Sequence, residues 1–122
     1  MPRVVHFDIS VDEPERAINF YKNVFGWNIQ KWKGPFDYWQ IMTGDQSEPG
    51  INGGLAKREK PEDSITNFID VPSVDECAEK LVNNGGKIIK QKQSIPGVGY
   101  IIICKDTEQN IIGLLQIDMS VK

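Results

Sequence analysis

The sequence predicts an α+β fold made of two tandem βαβββ modules, and three observations predict it. Residues Val4–Trp27 read as a strand, a capped helix and a sharp exit into a second strand. The same outline recurs 60 residues later, where Val11 meets Val71, Ala17 meets Cys77, Tyr21 meets Leu81 and Gly26 meets Gly86. Three strand-like runs follow each helix, and the offset continues through Ile29–Ile89, Ile41–Ile101, Gly53–Gly113 and Leu55–Leu115. A four-stranded sheet leaves an open edge that must be covered. The expectation is therefore one curved mixed sheet, with helices on its convex side and a cleft on its concave side. All 122 residues form one domain, with modules at 1–57 and 64–118 joined by a polar linker, 58–63.

Each element has its own signal. From Val5 to Val11 apolar and polar residues alternate, with Val5, Phe7, Ile9 and Val11 on one face and His6, Asp8 and Ser10 on the other. Asp12 as N-cap, Pro14 in the first turn and Glu15 three residues on open a helix. Ala17, Phe20, Tyr21, Val24 and Phe25 give it an apolar stripe, and Gly26 ends it. Strands follow at Trp27–Lys33, Phe36–Thr43 and Ile51–Lys57, separated by Gly34-Pro35 and by the loop Gly44–Gly50. In the second module Ile65–Val71 is a strand, and Ser73 with Glu76 forms a capping box. Val74, Cys77, Ala78, Leu81 and Val82 line the second helix, which stops at Asn84-Gly85-Gly86. Strands at Lys87–Gln93, Tyr100–Lys105 and Asn110–Ile117 complete the chain, with a loop at Ser94–Gly99 and a turn at Asp106–Gln109.

Composition narrows the function classes. The net charge is -3 and no basic stripe is present, which argues against nucleic acid. The apolar runs Tyr100–Cys104 and Ile111–Leu115 are too short to span a bilayer, and Met1-Pro2-Arg3 leads directly into a strand without a signal peptide. Cys77 and Cys104 lack metal-type spacing and read as reduced core thiols, which fits a cytoplasmic protein. Gly50, Gly53 and Gly54 lead into a strand rather than a helix, so they make no phosphate loop and instead permit a bulge or a close approach. No serine sits in a nucleophile-elbow context, and the chain has a single histidine.

The segments HFDISVDEPERAINFYKNVFGW, DVPSVDECAEKLVNNGGKII, IPGVGYIII and KDTEQNIIGLLQ carry a family resemblance. Over about 115 residues the chain resembles the glyoxalase/bleomycin-resistance/extradiol-dioxygenase group, the vicinal oxygen chelate superfamily. In the closing turn Thr107 and Gln109 stand where that group usually has Pro and Gly. The resemblance implies the tandem βαβββ plan and a homodimer. In metal-dependent members it also implies a divalent ion held by His, Glu or Gln from the first and fourth strands of each half. Carried over, those positions are His6, Thr66 and the vicinity of Gly53 and Gly113. Only His6 is a good donor, and such ions need a converging set. No metal cofactor is therefore expected.

His6 has three readings: a polar cleft residue hydrogen-bonded to Asp8 or Thr66, a general base, or a metal ligand. The aromatics Trp32, Phe36, Tyr38 and Trp39 cluster around the second and third strands, either as core or as a wall for a flat ligand. By the offset, Tyr100 aligns with Gln40 and should share its face. The expected ligand-binding set is His6, Asp8, Trp39, Gln40, Thr66, Phe68 and Tyr100. The leading expectation is a metal-free protein that binds a small molecule, in the manner of bleomycin-resistance proteins. The alternative is a lyase or isomerase, distantly like lactoylglutathione lyase, with His6 as base. Neither reading names the ligand.

Overall fold

The computed structural model describes residues 2–122. The chain divides into two compact units. The first is His6–Ile65, and the second joins the chain up to Val5 with Thr66–Lys122. In chain order the elements are β1 (Val4–Val11), α1 (Pro14–Phe25), β2 (Asn28–Lys31), β3 (Trp39–Met42), β4 (Gly53–Lys57), β5 (Ile65–Asp70), α2 (Val74–Asn83), β6 (Lys87–Ile95), β7 (Gly99–Lys105) and β8 (Ile111–Ile117). This is an α+β chain with the βαβββ plan used twice. The strand order is β2-β3-β4-β1 in the first copy and β5-β8-β7-β6 in the second. The β1–β4 and β5–β8 pairs are parallel, and the remaining pairs within each copy are antiparallel.

The helix ends follow their local chemistry. Gly26 adopts the left-handed conformation (φ 72°), and its N–H donates to Lys22 O. Ser73 Oγ accepts from Glu76 N–H at 3.2 Å, as a capping serine should. Asp12 does not cap α1. The N-cap is Glu13, without a side-chain bond, and the Asp12 carboxylate pairs with Arg58 Nε at 2.9 Å. The same arginine donates through its backbone N–H to Val11 O at 2.7 Å and through its guanidinium to Asp63 O, so segment 58–63 packs with the first unit.

Two cores form. In the first unit Ile9, Val11, Ile29, Ile41 and Leu55 are buried, and Phe7, Ala17, Ile18, Tyr21, Trp27 and Trp39 pack against them. The stripe of α1 that meets the sheet is thus centred on Ala17, Ile18 and Tyr21. Phe20, Val24 and Phe25, expected to be inside, are more than half exposed. Trp27 explains part of this shift: its ring stacks on Tyr21 at 5.2 Å and 4°, closing that flank of the core. In the second unit Val71, Val74, Ile102, Cys104 and Leu114 are buried, with Cys77, Ala78, Leu81 and Tyr100 against them, while Val82 is half exposed. Burial first, and Cys77 second, push the Cys104 thiol up to about 11, so it remains a thiol at neutral pH.

Strand register corrects the sequence repeat. Ile9 pairs with Leu55 and Ile69 with Leu114, so Leu114, not Leu115, is the counterpart of Leu55. By the same rows Gly54, not Gly53, matches Gly113. In the third strands Ile41 matches Cys104, since Ile41 pairs with Gly53 and Cys104 with Ile112. The offset of 60 therefore holds through the first strand and the helix. It becomes 59 at the fourth strand and 63 at the third, judged by these pairs. A change by an odd number reverses which side chains face the helix. The loop expected at Ser94–Gly99 shrinks to a hairpin turn in which Val98 N–H donates to Ile95 O at 3.0 Å.

The turn before β8 is organised by Asp106, which accepts from Asn110 N–H at 2.9 Å, from Asn110 Nδ2 at 3.0 Å and from Glu108 N–H at 2.8 Å. These bonds hold its carboxyl below the ordinary range. The turn places Gln109 at φ 70°, a left-handed conformation that crowds a Cβ. Replacing Gln109 by glycine should raise stability by about 0.5–1 kcal/mol, the relief of that crowding less the extra entropy of glycine. Chemical denaturation of Gln109→Gly against the wild type checks this, with an unchanged slope and a higher midpoint expected.

Candidate functional site

On β1 the residues facing away from the first core are His6, Asp8 and Ser10, the alternation that follows from Phe7, Ile9 and Val11 facing inward. His6 and Asp8 are joined. His6 Nε2 lies 2.8 Å from Asp8 Oδ1 and 2.9 Å from the Tyr38 hydroxyl oxygen, and the Tyr38 O–H donates to Asp8 Oδ1 at 2.6 Å. With the phenolic hydrogen committed to Asp8, Nε2 faces two acceptors. A hydrogen on Nε2 satisfies both of these contacts. The side chains of His6 and Asp8 keep 31% and 29% of their surface, enough for a ligand to reach them.

Tyr38 reaches this position because Gly54 has no side chain. A Cβ at Gly54 would come within 1.7 Å of the phenolic oxygen. Asp8, Gly54, Gln40 and Gln30 form one cross-strand row, so the phenol lies over a polar stripe of the sheet. The neighbouring Gly53 makes room on the opposite face, where a Cβ would meet the Phe7 ring at 2.7 Å. Beyond the phenol are two more rings. Trp32 is 5.9 Å from Tyr38, edge-on at 82°, and Phe36 is 4.9 Å from Trp32. Burial first, then the Asp8 charge and its hydrogen bond, raise the Tyr38 pKa above its ordinary value of 10.0. Tyr38 is therefore a donor throughout the neutral range and not a base.

The expected residues separate into groups. His6 and Asp8 are in the network, and Gln40 shares the row of Asp8. Trp39 packs against the first core, with Lys31 Nζ 5.6 Å from its ring centre. Adjacent strand residues point to opposite faces, so Trp39 and Gln40 do not line one surface. In the second unit Thr66 and Phe68 alternate with the core residue Ile69, and Phe68 is buried, its ring lying where a Cβ on Gly113 would be. Tyr100 alternates with Ile101 and packs on the core face with Ile102 and Cys104, under Lys92 Nζ at 4.5 Å. It does not share the face that the offset of 60 gave it. Tyr38 was absent from the expected set. Its signal is parity: it stands two residues before Gln40 and so on the same face. Two cavities of about 320 and 310 Å³ lie in the second unit, and none of the expected residues lines either.

Among the described residues no group of three His, Cys, Asp or Glu side chains converges. The one imidazole turns Nε2 to a carboxylate and a phenol, and the matching glycines, Gly54 and Gly113, are covered by Tyr38 and Phe68.

A family model for the glyoxalase/bleomycin resistance protein/dioxygenase superfamily matches residues 3–114. The chain belongs to this superfamily. No curated protein sequence matches it. Similar solved structures include a methylmalonyl-CoA epimerase from Mycobacterium tuberculosis, at 14% identity and TM-score 0.67, over 93% of this chain and 87% of that one. A hypothetical protein from Bacillus halodurans is 13% identical, with TM-score 0.68 over 99% and 98% of the two chains. A Legionella pneumophila structure described as an NAD-dependent benzaldehyde dehydrogenase is 18% identical, with TM-score 0.63 over 93% and 98%. At these identities the superfamily likeness is one of fold, and the different activities named for these proteins illustrate how little a shared fold fixes. Within the described residues no helix is long and apolar enough to cross a membrane.

Because Tyr38 has a raised pKa, its hydrogen bond to Asp8 stabilises the fold fully below pH 10, and this contribution is lost as pH rises beyond that value. In thermal melts from pH 8 to 11.5, wild type should lose stability above pH 10 faster than Tyr38→Phe. At neutral pH the variant should be less stable by about 1.5–3 kcal/mol, the range for a hydrogen bond to a charged group.

Proposed function

We propose that this protein binds a small organic molecule without a metal ion, on the sheet face that carries His6, Asp8 and Gln40. One observation carries the reading: the only imidazole of the chain bonds to Asp8 and Tyr38 instead of entering a set of metal donors. Such a face offers a carboxylate, an imidazole, amides at Gln30 and Gln40, and the rings of Trp32, Phe36 and Tyr38 beside them. A ligand with a flat apolar part and a hydrogen-bonding group suits that mixture. We also propose that the protein works as a homodimer, which light scattering at working concentration tests.

A second reading has its own support. A histidine oriented by a carboxylate is a common general base. The His6–Asp8 pair suits an isomerase or lyase in which His6 removes a proton from a carbon acid, and an epimerase is among the proteins of similar fold. Incubation with methylmalonyl-CoA in deuterium oxide tests it. His6-dependent exchange of the substrate's acidic C–H would make catalysis the leading reading.

For the binding reading, chelator-stripped protein is offered nickel, zinc, manganese and iron and then dialysed. Less than about a tenth of an equivalent of each should remain, where a built site holds one ion through several ligands. Stoichiometric uptake lost in His6→Ala would overturn the metal-free reading. A thermal-shift panel of metabolites and drugs should then yield compounds whose stabilisation is lost in Asp8→Asn.

A further inference from the structure

The Tyr38 phenol is itself a flat ring with a hydroxyl, held by His6 and Asp8 over a glycine floor and bordered by Trp32 and Phe36. We propose that Tyr38 is a resident ligand of its own site, and that the protein takes an aromatic hydroxyl compound into the place the phenol vacates. This rests on the binding reading above and gives it a ligand class.

Four features support it. The first is chemical fit: Asp8 Oδ1 accepts the phenolic hydrogen while His6 Nε2 meets the phenolic oxygen, so both faces of a hydroxyl are read at once. The second is shape. Gly54 projects no Cβ beneath the phenol, and one there would lie within 2.0 Å of the ring carbon that bears the hydroxyl. The third is a route of release. Residues 32–38 belong to no strand, and Gly34 leaves room for the Trp32 indole, which would be about 2.0 Å from a Cβ there. The backbone end of this strap is held by Trp32 N–H donating to Tyr38 O at 2.8 Å, so the proposed release is a rotation of the Tyr38 side chain with this backbone bond kept. The ion pair Lys31–Asp37 at 3.2 Å is between side chains exposed by 59% and 78% and holds the strap only weakly. The fourth is the environment left behind: a partly exposed carboxylate and imidazole, with the Gln40 row alongside.

Self-occupancy sets the size of the effect. A ligand that must displace a resident group binds more weakly by the fraction of molecules in which the site is open. Weakening the resident therefore tightens the visitor. Tyr38→Phe keeps a ring but loses both hydrogen bonds, and should bind the visitor about ten-fold tighter or better.

The probe is p-cresol, with toluene as the control lacking a hydroxyl, titrated by isothermal calorimetry and by chemical-shift changes at His6 and Gly54. Expected results are saturable p-cresol binding to wild type, none of toluene, about ten-fold tighter p-cresol binding to Tyr38→Phe, and loss of binding in Asp8→Asn and in Gly54→Val. Equal binding of toluene would overturn the hydroxyl assignment. Binding only after Tyr38→Ala would show that the phenol is a fixed part of the fold, and the inference would fall. If another compound binds wild type in an Asp8-dependent way while p-cresol does not, the ligand class is wrong and the binding reading stands. If nothing binds wild type or either Tyr38 variant, both are wrong.

Discussion

The placement of rings over glycines in the fourth strands is the constraint on which this architecture turns. In a sheet, the residue beside a bulky ring must give up volume, and a missing Cβ is the largest concession a residue can make. β4 makes it twice in succession, at Gly53 for Phe7 toward the core and at Gly54 for Tyr38 on the other face. β8 makes it once, at Gly113 for Phe68. These contacts fix what lies on either face of the parallel strand pairs, and so decide which side chains are left to meet a ligand.

The two copies use the same device to opposite ends. In the first unit the ring over glycine carries a hydroxyl, and its row is Asp8, Gly54, Gln40 and Gln30. In the second the ring is a buried phenylalanine, and its row runs Phe68, Gly113, Ile103 and Lys90. One copy thus keeps a wet, hydrogen-bonding surface and the other closes its equivalent surface with hydrocarbon. Phe68 stands where the first copy has Asp8, and a phenylalanine there offers no counterpart of the carboxylate oxygen that both His6 and Tyr38 meet.

Much of this was legible in the residues. Caps at Ser73 and Gly26, the alternation of β1 and the helical stripes needed only local chemistry, and they gave the element order and the α+β class. His6 and Asp8 were legible as neighbours because two residues apart on a strand share a face. What failed was parity farther along. A repeat read at constant offset assumes equal loops, but the third strands lie three residues farther apart than the first strands, which turned Tyr100 to the core. The slip by one at the fourth strand exchanged Gly53 for Gly54 and hid the reason for Tyr38's position. Asp12 misled for a different reason: a capping residue is free to cap only when no cation competes, and Arg58 does.

Gly54 and Tyr38 also constrain how this sequence can change over generations. Any side chain at position 54 collides with the phenol as long as residue 38 is large. A shorter residue at 38, by contrast, is tolerated while position 54 is still glycine. The two changes are therefore accepted in one order only, with 38 first. A donor side chain at 54, set beside an imidazole and a carboxylate, lies two substitutions away and is reached only through a smaller residue at 38.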